Sequence, residues 1–447
     1  MLRTAGAQTG GARTAGARAE LAPLVAAAIR ARSQPAREFF AAHAAGIAAA
    51  ARIVAERLDA GGRIYAFGRG AYATDAQHVA VEFVHPVLVG KPALPASDLS
   101  LSFETALPVL AGPQDVVIGF GPPGGDESVG RALDEARARG AFAIALPGRA
   151  DSTGFAEHVA LSNGADSELG DLGKQFTLPG GAQSDARGLA DQFVLPAASD
   201  DEHLHQELVE ITGHLLYESV HVFLEHRHLD HDAGASAFLY PFLGGAQASA
   251  QSLAADVLAS IMQKAADAEA LRERVASEES EAIAAAVATI ASELDAGGRL
   301  LIFGNGGSST DATDFALDCV QPPLGLAPIP ALSLAAEPAT ITAIANDVGR
   351  EFIFLRQLIA HVRPHDVVVA LSTSGGSSNV IAALEEARKR GNATIALLGY
   401  DGGEIRRRAL ADRTIVVRSD YVPRVQEAQA AVYHTMRHAL GWMRDAC

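Results

Sequence analysis

At 447 residues, with 49% hydrophobic and 20% charged residues, the chain has the length and composition of two or three soluble globular domains. Its formal net charge of −17 argues against a general nucleic-acid binder and against a partner of anionic membranes. The two cysteines, Cys319 and Cys447, cannot build a disulfide framework. The sequence also has no apolar run long enough to span a membrane. We therefore expect a cytoplasmic protein.

In chain order, residues 1–18 are rich in Ala, Gly, Thr and Arg and contain no acidic residue. This composition predicts a disordered tail, with a transit peptide as the alternative. We predict a first domain over residues 19–228, a linker over 229–250 and a second domain over 251–447. The histidines in His226–Gly245 could suggest a metal tract, but their irregular spacing favours a solvated linker.

An internal repeat organises the chain. The sequence LDAGGR at Leu58–Arg63 recurs at Leu294–Arg299, and EARARG at Glu135–Gly140 recurs as EARKRG at Glu386–Gly391. Strand and helix patterns alternate in both copies, which predicts an α/β fold with a parallel sheet flanked by helices on both faces in each half. The copies differ by an insert around Gly164–Asp191 in the first and by extra residues around Pro338–Phe354 in the second.

Two Gly/Ser-rich loops in the second half follow predicted strands. The first is GNGGSS at Gly304–Ser309, and the second is LSTSGGSSN at Leu371–Asn379, before a predicted helix over Val380–Arg390. Backbone N–H groups, hydroxyls and a helix N-terminus together suit a phosphate. The alternative is an ordinary helix cap, but a cap needs one hydroxyl and this loop offers five: Ser372, Thr373, Ser374, Ser377 and Ser378.

The corresponding loops of the first half have lost these features. They are GRGAYATD at Gly68–Asp75 and GPPGGDES at Gly121–Ser128. Two prolines remove N–H donors, and Asp126 and Glu127 place negative charge where a phosphate would bind. We therefore predict weak phosphate binding in the first half.

The motif pair GNGGS-x-x-D-A and STSG-x-S-x-N resembles the SIS (sugar isomerase) domain, and within it the phosphoheptose isomerases. The resemblance covers the whole second half and, more weakly, the first, and it implies two tandem SIS domains. It also implies aldose–ketose isomerisation of a sugar phosphate such as sedoheptulose 7-phosphate, through an enediol. The substrate-binding residues that it implies are Asn305, Gly306, Gly307, Ser308, Asp347, Ser372, Thr373, Ser374, Ser377 and Gln426.

The same resemblance implies a His/Glu/Gln/His quartet that binds zinc in some members of the family. In the first half the quartet is complete, as His78, Glu82, Gln206 and His214, with Glu82 and His214 as the proton-transfer pair. In the second half the positions hold Asp314, Asp318, Gln426 and His434. Two versions of the site stay open: Asp318 and His434 act locally, or Glu82 and His214 complete a composite site. For His78 and Glu82 alone, the alternative is a surface ion pair.

Other functions fit parts of the sequence. A non-catalytic sugar-phosphate sensor is favoured by Asp314 and Asp318, and the isomerase half of a glucosamine-6-phosphate synthase is a third possibility. No dinucleotide-binding G-x-G-x-x-G unit is found, so we expect no nucleotide cofactor. The resemblance further implies a built-in pseudo-dimer that pairs into a homodimer, a pseudo-tetramer of SIS domains.

Overall fold

The computed structural model describes residues 20–87, 90–147, 191–197, 199–228 and 250–445. They form two compact units. The first unit spans residues 35–266, and the second comprises residues 267–447 together with the N-terminal segment up to Gln34. The predicted tail over 1–18, nearly all of the predicted linker and the predicted insert up to residue 190 lie outside the described residues.

The first unit is built around a parallel five-stranded sheet of order β2-β1-β3-β4-β5. A helix over residues 20–31, α1, precedes its elements. The elements are α2 Ser33–Asp59, β1 Ile64–Gly68, α3 Tyr72–Val84, β2 Ala96–Asp98, α4 Phe103–Leu110, β3 Val116–Phe120, α5 Glu127–Ala138, β4 Phe142–Leu146, β5 Gln192–Val194 and α6 Glu202–His228.

The second unit repeats this sheet, with the order β7-β6-β8-β9-β10 and every pairing parallel. Helix α7, which spans the unit boundary, leads into it. Its elements are α7 Ala250–Glu278, α8 Ser280–Asp295, β6 Leu300–Phe303, α9 Gly307–Val320, β7 Ala331–Ser333, α10 Pro338–Asp347, a 3-10 turn Arg350–Phe352, α11 Ile353–His361, β8 Val367–Ser372, α12 Ser378–Lys389, β9 Ala393–Gly399, α13 Gly403–Arg407, β10 Arg413–Val417 and α14 Val422–Asp445.

The central strands are apolar along their whole length because helices cover both faces of each sheet. Every residue of β1, β3, β4, β6 and β8 is buried. Continuous rather than alternating hydrophobicity is what a parallel sheet between two helical layers requires. The predicted α/β fold of two tandem parallel sheets is confirmed.

The strand order creates a topological switch point in each unit. In the first sheet the chain leaves β1 toward β2 on one side and reaches β3 on the other. In open α/β sheets ligands bind beyond the strand C-terminal ends at such a switch point, because the two loops diverge and leave a crevice. The loops after β1 and β3, and after β6 and β8 in the second unit, are those that the repeat analysis singled out.

The N-terminal helix α1 belongs to the core of the second unit. Leu21, Val25 and Ile29 pack in one buried cluster with Leu271 and Ile283. The helical stretch Glu20–Asp59 is long and apolar enough to span a membrane by length and composition, but half of the window that passes this test is buried inside the protein. Its apolar residues therefore already have a protein core to pack against.

A buried histidine in the first unit predicts loss of stability in acid. His221 on α6 is 1% exposed, and its ring lies 4.9 Å from that of Tyr217. Burial and, secondarily, the charge of Lys91 lower the pKa of His221 from 6.5 to about 4. Because the unfolded chain takes up this proton at higher pH, folding stability falls as the pH drops from 6.5 towards 4, by about 3 kcal/mol in all.

Replacing His221 with leucine should remove this contribution. We expect urea unfolding, followed by circular dichroism at pH 7 and pH 4.5, to show a smaller acid-induced loss in His221→Leu than in the unmodified protein. The exposed substitution His361→Gln serves as the control and should leave the loss unchanged. An equal acid-induced loss in His221→Leu would show that other groups bind the destabilising proton.

Candidate functional site

Three residues of the predicted first-half quartet meet in the first unit. His78 and Glu82 lie one turn apart on α3, and His214 faces them from α6. Their ligand atoms all lie within 4.8 Å of one another, with His78 Nε2 at 3.1 Å from His214 Nε2 and 3.9 Å from Glu82 Oε1. All three are buried and line one small cavity. The structure therefore places these residues in a single site, whereas a surface ion pair would be exposed.

The donor chemistry of this cluster fits a divalent metal ion. A tetrahedral ion with bonds of about 2.0–2.1 Å separates two imidazole nitrogens by roughly 3.3 Å, close to the separation seen here. Glu82 Oε2 is buried and has no hydrogen-bond partner among the described residues. A buried carboxylate oxygen without a partner is costly unless a cation or proton compensates it.

The surroundings of Glu82 also favour holding a proton. Burial raises the pKa of Glu82 to about 7, the positive charge of His78 opposes the rise, and the negative charge of Glu218 adds to it. Glu218 itself is fully buried and pairs with Lys264 at 2.5 Å. A carboxyl group with a pKa near neutrality can both accept and donate a proton, which suits general acid–base chemistry.

Gln206, the fourth member of the predicted quartet, is placed differently. Its Nε2 donates to Asp75 Oδ2 at 3.3 Å, and Gln206 is not among the residues that line the cavity. Its role as a metal ligand stays a prediction.

The corresponding cluster of the second unit contains two carboxylates and one imidazole. His434 Nε2 on α14 lies 3.2 Å from Asp318 Oδ2 and 3.4 Å from Asp314 Oδ2, both on α9. Burial raises the pKa of Asp314, the neighbouring charge of Asp318 raises it further, and contacts with His434 and Tyr433 oppose the rise. Gln426, two turns earlier on α14, is 2% exposed, and its Oε1 has no hydrogen-bond partner among the described residues.

Tyr433 is a site residue that the sequence analysis missed. Its hydroxyl donates to Asp314 Oδ2 at 2.8 Å, and its ring stacks on Phe315 at 5.3 Å. The repeat offered a signal, because the residue before His214 in the first copy is Gly213. The second copy has Tyr433 where the first has Gly213, and Asp314 where the first has His78. The Tyr433 hydroxyl binds the Asp314 carboxylate, so the two differences between the copies are linked.

The two Gly/Ser loops of the second unit form a cradle at the switch point. Helix α9 begins at Gly307 behind Gly306, whose φ of 57° favours glycine. Ser372 Oγ accepts from Gly375 N at 3.1 Å, and Ser374 Oγ accepts from Gly376 N at 3.2 Å. These bonds leave the hydroxyl protons available to a ligand. A Cβ on Gly375 would lie 2.2 Å from a backbone oxygen of Gly402, so no other residue fits there.

A reciprocal amide pair joins the two loops. Asn305 Nδ2 donates to Asn379 Oδ1 at 2.9 Å, and Asn379 Nδ2 donates to Asn305 Oδ1 at 2.8 Å. The Asn379 oxygen also accepts from Val380 N in the first turn of α12. The pair fixes the distance between the loops. Ser377, at the N-cap of α12, makes no capping hydrogen bond with its side chain.

In the first unit a carboxylate side chain, that of Asp126, lies at the position that Ser377 has in the cradle of the second unit. Asp126 aligns with Ser377, and Asp126 Oδ1 accepts from Ser128 N at 2.8 Å, from Val129 N at 3.0 Å and from Ser128 Oγ. Burial would raise the pKa of Asp126, but these hydrogen bonds and the charge of Arg69 together lower it. Arg69 Nε donates to Ser128 Oγ at 2.6 Å, in the place of the amide pair. An ionised carboxylate thus takes the donors that an anion would need.

Comparison with known proteins identifies the family. The model of the SIS domain matches residues 29–148 and 265–399, more than half of the chain. The chain belongs to the SIS domain family. The matched ranges contain the four loops at the switch points, and the predicted family resemblance is confirmed.

Within the SIS family, the chain is similar to phosphoheptose isomerases. The phosphoheptose isomerase of Citrifermentans bemidjiense is 44% identical over 156 residues, which are 35% of this chain and 80% of the relative. That of Rhodospirillum rubrum is 42% identical over 166 residues, which are 37% of this chain and 86% of the relative.

A solved structure shares the fold over most of the chain. The C-terminal domain of glucosamine-fructose-6-phosphate aminotransferase from Francisella tularensis covers 94% of this chain and 96% of its own, with a TM-score of 0.56 and 9% identity. At this identity the likeness concerns the fold alone.

Asp347, the remaining predicted substrate residue, makes its hydrogen bond outside the two cradle loops. Asp347 ends α10, where its Oδ1 accepts from Asn346 Nδ2 at 2.7 Å, and no hydrogen bond among the described residues joins it to the two loops. The structure therefore brings Asn305 and the residues 372–377 into the cradle and leaves the part of Asp347 in substrate binding a prediction.

Proposed function

We propose that the chain is a sugar-phosphate aldose–ketose isomerase of the phosphoheptose isomerase type, with sedoheptulose 7-phosphate or a close analogue as substrate. The proposal rests on helix α9 of the second unit. The cradle lies at the N-terminus of this helix, and Asp314 and Asp318 on the same helix contact His434. Phosphoheptose isomerases at 42–44% identity support an isomerase activity.

The cradle would hold the phosphate group of the substrate. Its donors are the hydroxyls of Ser372, Thr373, Ser374 and Ser377 and the backbone N–H groups at Gly306–Ser308. The partial positive charge at the N-termini of α9 and α12 favours the dianion. The Asn305–Asn379 amide pair keeps both helix ends directed at one ligand position.

In the second unit Asp318 and His434 would move the protons. Asp318 removes the proton from C1 of the ketose, giving an enediol, and returns it to C2. His434 takes the proton from O1 as the carbonyl forms there and supplies one to O2. Carboxylate and imidazole groups contribute typically 10²–10⁴-fold each when they are positioned for such transfers. The second version of the site, in which Glu82 and His214 supply these roles, stays open.

His78, Glu82 and His214 are the residues that would hold a divalent metal ion such as zinc in the first unit. When bound there, the ion would supply Lewis acidity and would fix the two imidazoles and the carboxylate in place. Glu82 would then have its second oxygen compensated, and the two facing imidazole nitrogens would no longer compete for one proton.

The alternative is a non-catalytic SIS protein that binds sugar phosphates for regulation or assembly. The observation that favours it is the hydrogen bond from Tyr433 to Asp314. It holds a carboxylate where the first unit has His78, and together with the shorter Asp318 it changes the geometry of the acid–base group. Misplacement by about 1 Å can cost on the order of 100-fold in rate.

One assay separates the two functions. We expect the full chain to convert sedoheptulose 7-phosphate to an aldose phosphate, measured by nuclear magnetic resonance with added zinc and with a chelator. Sedoheptulose without phosphate is the control and should not be converted. Binding of the phosphosugar with no turnover in either condition would favour the sensor.

The cytoplasmic location and a homodimer that forms a pseudo-tetramer are further parts of the proposal. Both follow from the resemblance and from the composition. Light scattering on the purified full chain tests the assembly, because a homodimer of 46.3 kDa chains is readily distinguished from a monomer.

A further inference from the structure

Arg437 lies one turn beyond His434 on α14 and is almost completely buried, with 1% of its surface exposed. Its Nε donates to the backbone oxygen of Asp318 at 2.9 Å, and its Nη2 donates to the backbone oxygen of Ala327 at 2.5 Å. The first bond reaches the end of α9 that carries the proposed base, and the second reaches the loop that follows α9. One buried guanidinium therefore joins α14, the end of α9 and the following loop.

The C-terminal turn of α9 uses this guanidinium to complete its hydrogen bonding. The last carbonyl groups of a helix have no partner further along the helix. The oxygens of Leu317 and Cys319 each accept from a backbone N–H group beyond the helix end at 2.7 Å. The oxygen of Asp318, between them, accepts from Arg437. A cation here also interacts favourably with the negative end of the helix dipole.

The first unit has a different pair of residues at this place. Tyr217 aligns with Arg437, and Phe83 aligns with Cys319. The rings of Tyr217 and Phe83 pack edge to face, with their centroids 5.5 Å apart. In the second unit both members of the pair are replaced, one by a small thiol and the other by a guanidinium. The second unit therefore has a buried positive charge where the first has a contact between two rings.

The cluster beside this guanidinium contains more carboxylates than imidazoles. Asp314 and Asp318 face one imidazole, that of His434, at 3.4 and 3.2 Å. Arginine stays protonated in proteins, and a buried charge is costly unless an opposite charge compensates it. Burial raises the pKa of the Cys319 thiol, the charge of Arg437 opposes the rise, and the charge of Asp318 adds to it. The two opposite charges therefore act at the same end of α9.

We propose that Arg437 is a positioning residue of the second-unit site, which fixes the end of α9 that carries Asp318 and compensates the charge of the Asp318 carboxylate. The inference rests on the version of the proposed function in which Asp318 is the base. A base must be ionised and held within reach of the proton that it removes. Because the cradle lies at the other end of α9, Arg437 would support kcat rather than phosphate binding.

Steady-state kinetics of the full chain test the positioning role. We expect Arg437→Met to lower kcat for the phosphosugar by about 100-fold, with little change in KM. Arg437→Lys keeps the charge but not the fork of donors, and should regain about tenfold of this loss. The exposed substitution Arg356→Met on α11 is the control and should leave kcat unchanged. An unchanged kcat in Arg437→Met would overturn the positioning role.

A double-mutant cycle on thermal unfolding tests the charge compensation without any assay of activity. Asp318→Asn keeps the backbone oxygen that Arg437 binds and removes only the charge. In the unmodified protein it should lower the thermal midpoint by about 3 °C, because the buried guanidinium loses its opposite charge. In Arg437→Met it should raise the midpoint by about 3 °C, because a buried carboxylate is removed. Equal shifts in both backgrounds would show that Arg437 is only a helix cap.

The two measurements separate the inference from the proposed function. A coupled cycle in a chain that does not isomerise the phosphosugar contradicts the proposed enzyme and supports the pairing of Arg437 with Asp318. Equal shifts in the cycle, with an active chain and an unchanged kcat in Arg437→Met, overturn the inference and leave the isomerase standing. If Arg437→Met does not fold, a cooperative unfolding transition in the double variant supports the charge compensation, and its absence overturns it.

Discussion

Replacing Ser377 with aspartate is expected to raise the KM for the phosphosugar by about 100-fold or more. The substitution copies into the second unit the residue that the first unit carries as Asp126. There the carboxylate accepts from Ser128 N, Val129 N and Ser128 Oγ at the start of α5. In the variant the same carboxylate would take the N–H groups at the start of α12 and repel the phosphate dianion. Losing hydrogen bonds to a charged group costs about 1.5–3 kcal/mol, and each 1.4 kcal/mol is a factor of ten.

The reciprocal substitution Asp126→Ser is the matched control. It should leave KM unchanged, because the bound phosphosugar is assigned to the second unit. The measurement is steady-state kinetics, supported by calorimetric titration of the phosphosugar. If Ser377→Asp binds as tightly as the unmodified protein, the cradle of the second unit is not the phosphate site. If Asp126→Ser alone changes KM, the first unit takes part in binding.

Much of the fold could be predicted because the sequence contains two copies of one unit, and the same strand and helix pattern occurs in both. The loops Gly304–Ser309 and Leu371–Asn379 follow predicted strands, and in the structure β6 and β8 end at these loops and are inner strands of their sheet. The membership of α1 could not be predicted. Amphipathicity shows that Leu21, Val25 and Ile29 need a core, but it does not tell which core they join, and the structure places them in that of the second unit.

The members of the quartet were implied by the family resemblance, and helical spacing by itself predicted only which of them share a helix face. A separation of four residues on α3 was enough to place His78 and Glu82 on one face, and the late histidine met them. The direction of a long side chain is set by its neighbours, so the pairing of Gln206 with Asp75 was not visible in the sequence. The bond from Tyr433 to Asp314 is a second example, since it depends on two residues that are far apart in the chain.

The two units differ in which of the predicted site features they contain. The first unit has His78, Glu82 and His214 in a cavity with Glu210, but its anion position is taken by Asp126. The second unit has the open cradle and a carboxylate–imidazole–carboxylate cluster. Which unit supplies the acid and the base is decided by comparing substitutions of the two late histidines, His214 and His434.

Replacing His434 with asparagine is expected to lower kcat by about 10²–10⁴, the usual contribution of a positioned acid or base. His434 is 1% exposed and contacts Asp318 Oδ2 at 3.2 Å and Asp314 Oδ2 at 3.4 Å, so its ring nitrogen lies beside both carboxylates of the cluster. KM should change little, because the cradle loops are untouched. The measurement is kcat and KM for the phosphosugar, with the thermal midpoint as a check on folding.

The matched substitution His214→Asn in the first unit completes the test. If His434 is the acid, His214→Asn changes metal binding and leaves a larger share of kcat than His434→Asn does. Affinity for a sugar-alcohol phosphate, which cannot isomerise, should be the same in both variants, so that a loss of kcat cannot be traced to misfolding. Full activity in His434→Asn with loss in His214→Asn would assign proton transfer to Glu82 and His214, and the cluster of Asp314, Asp318 and His434 would then be structural.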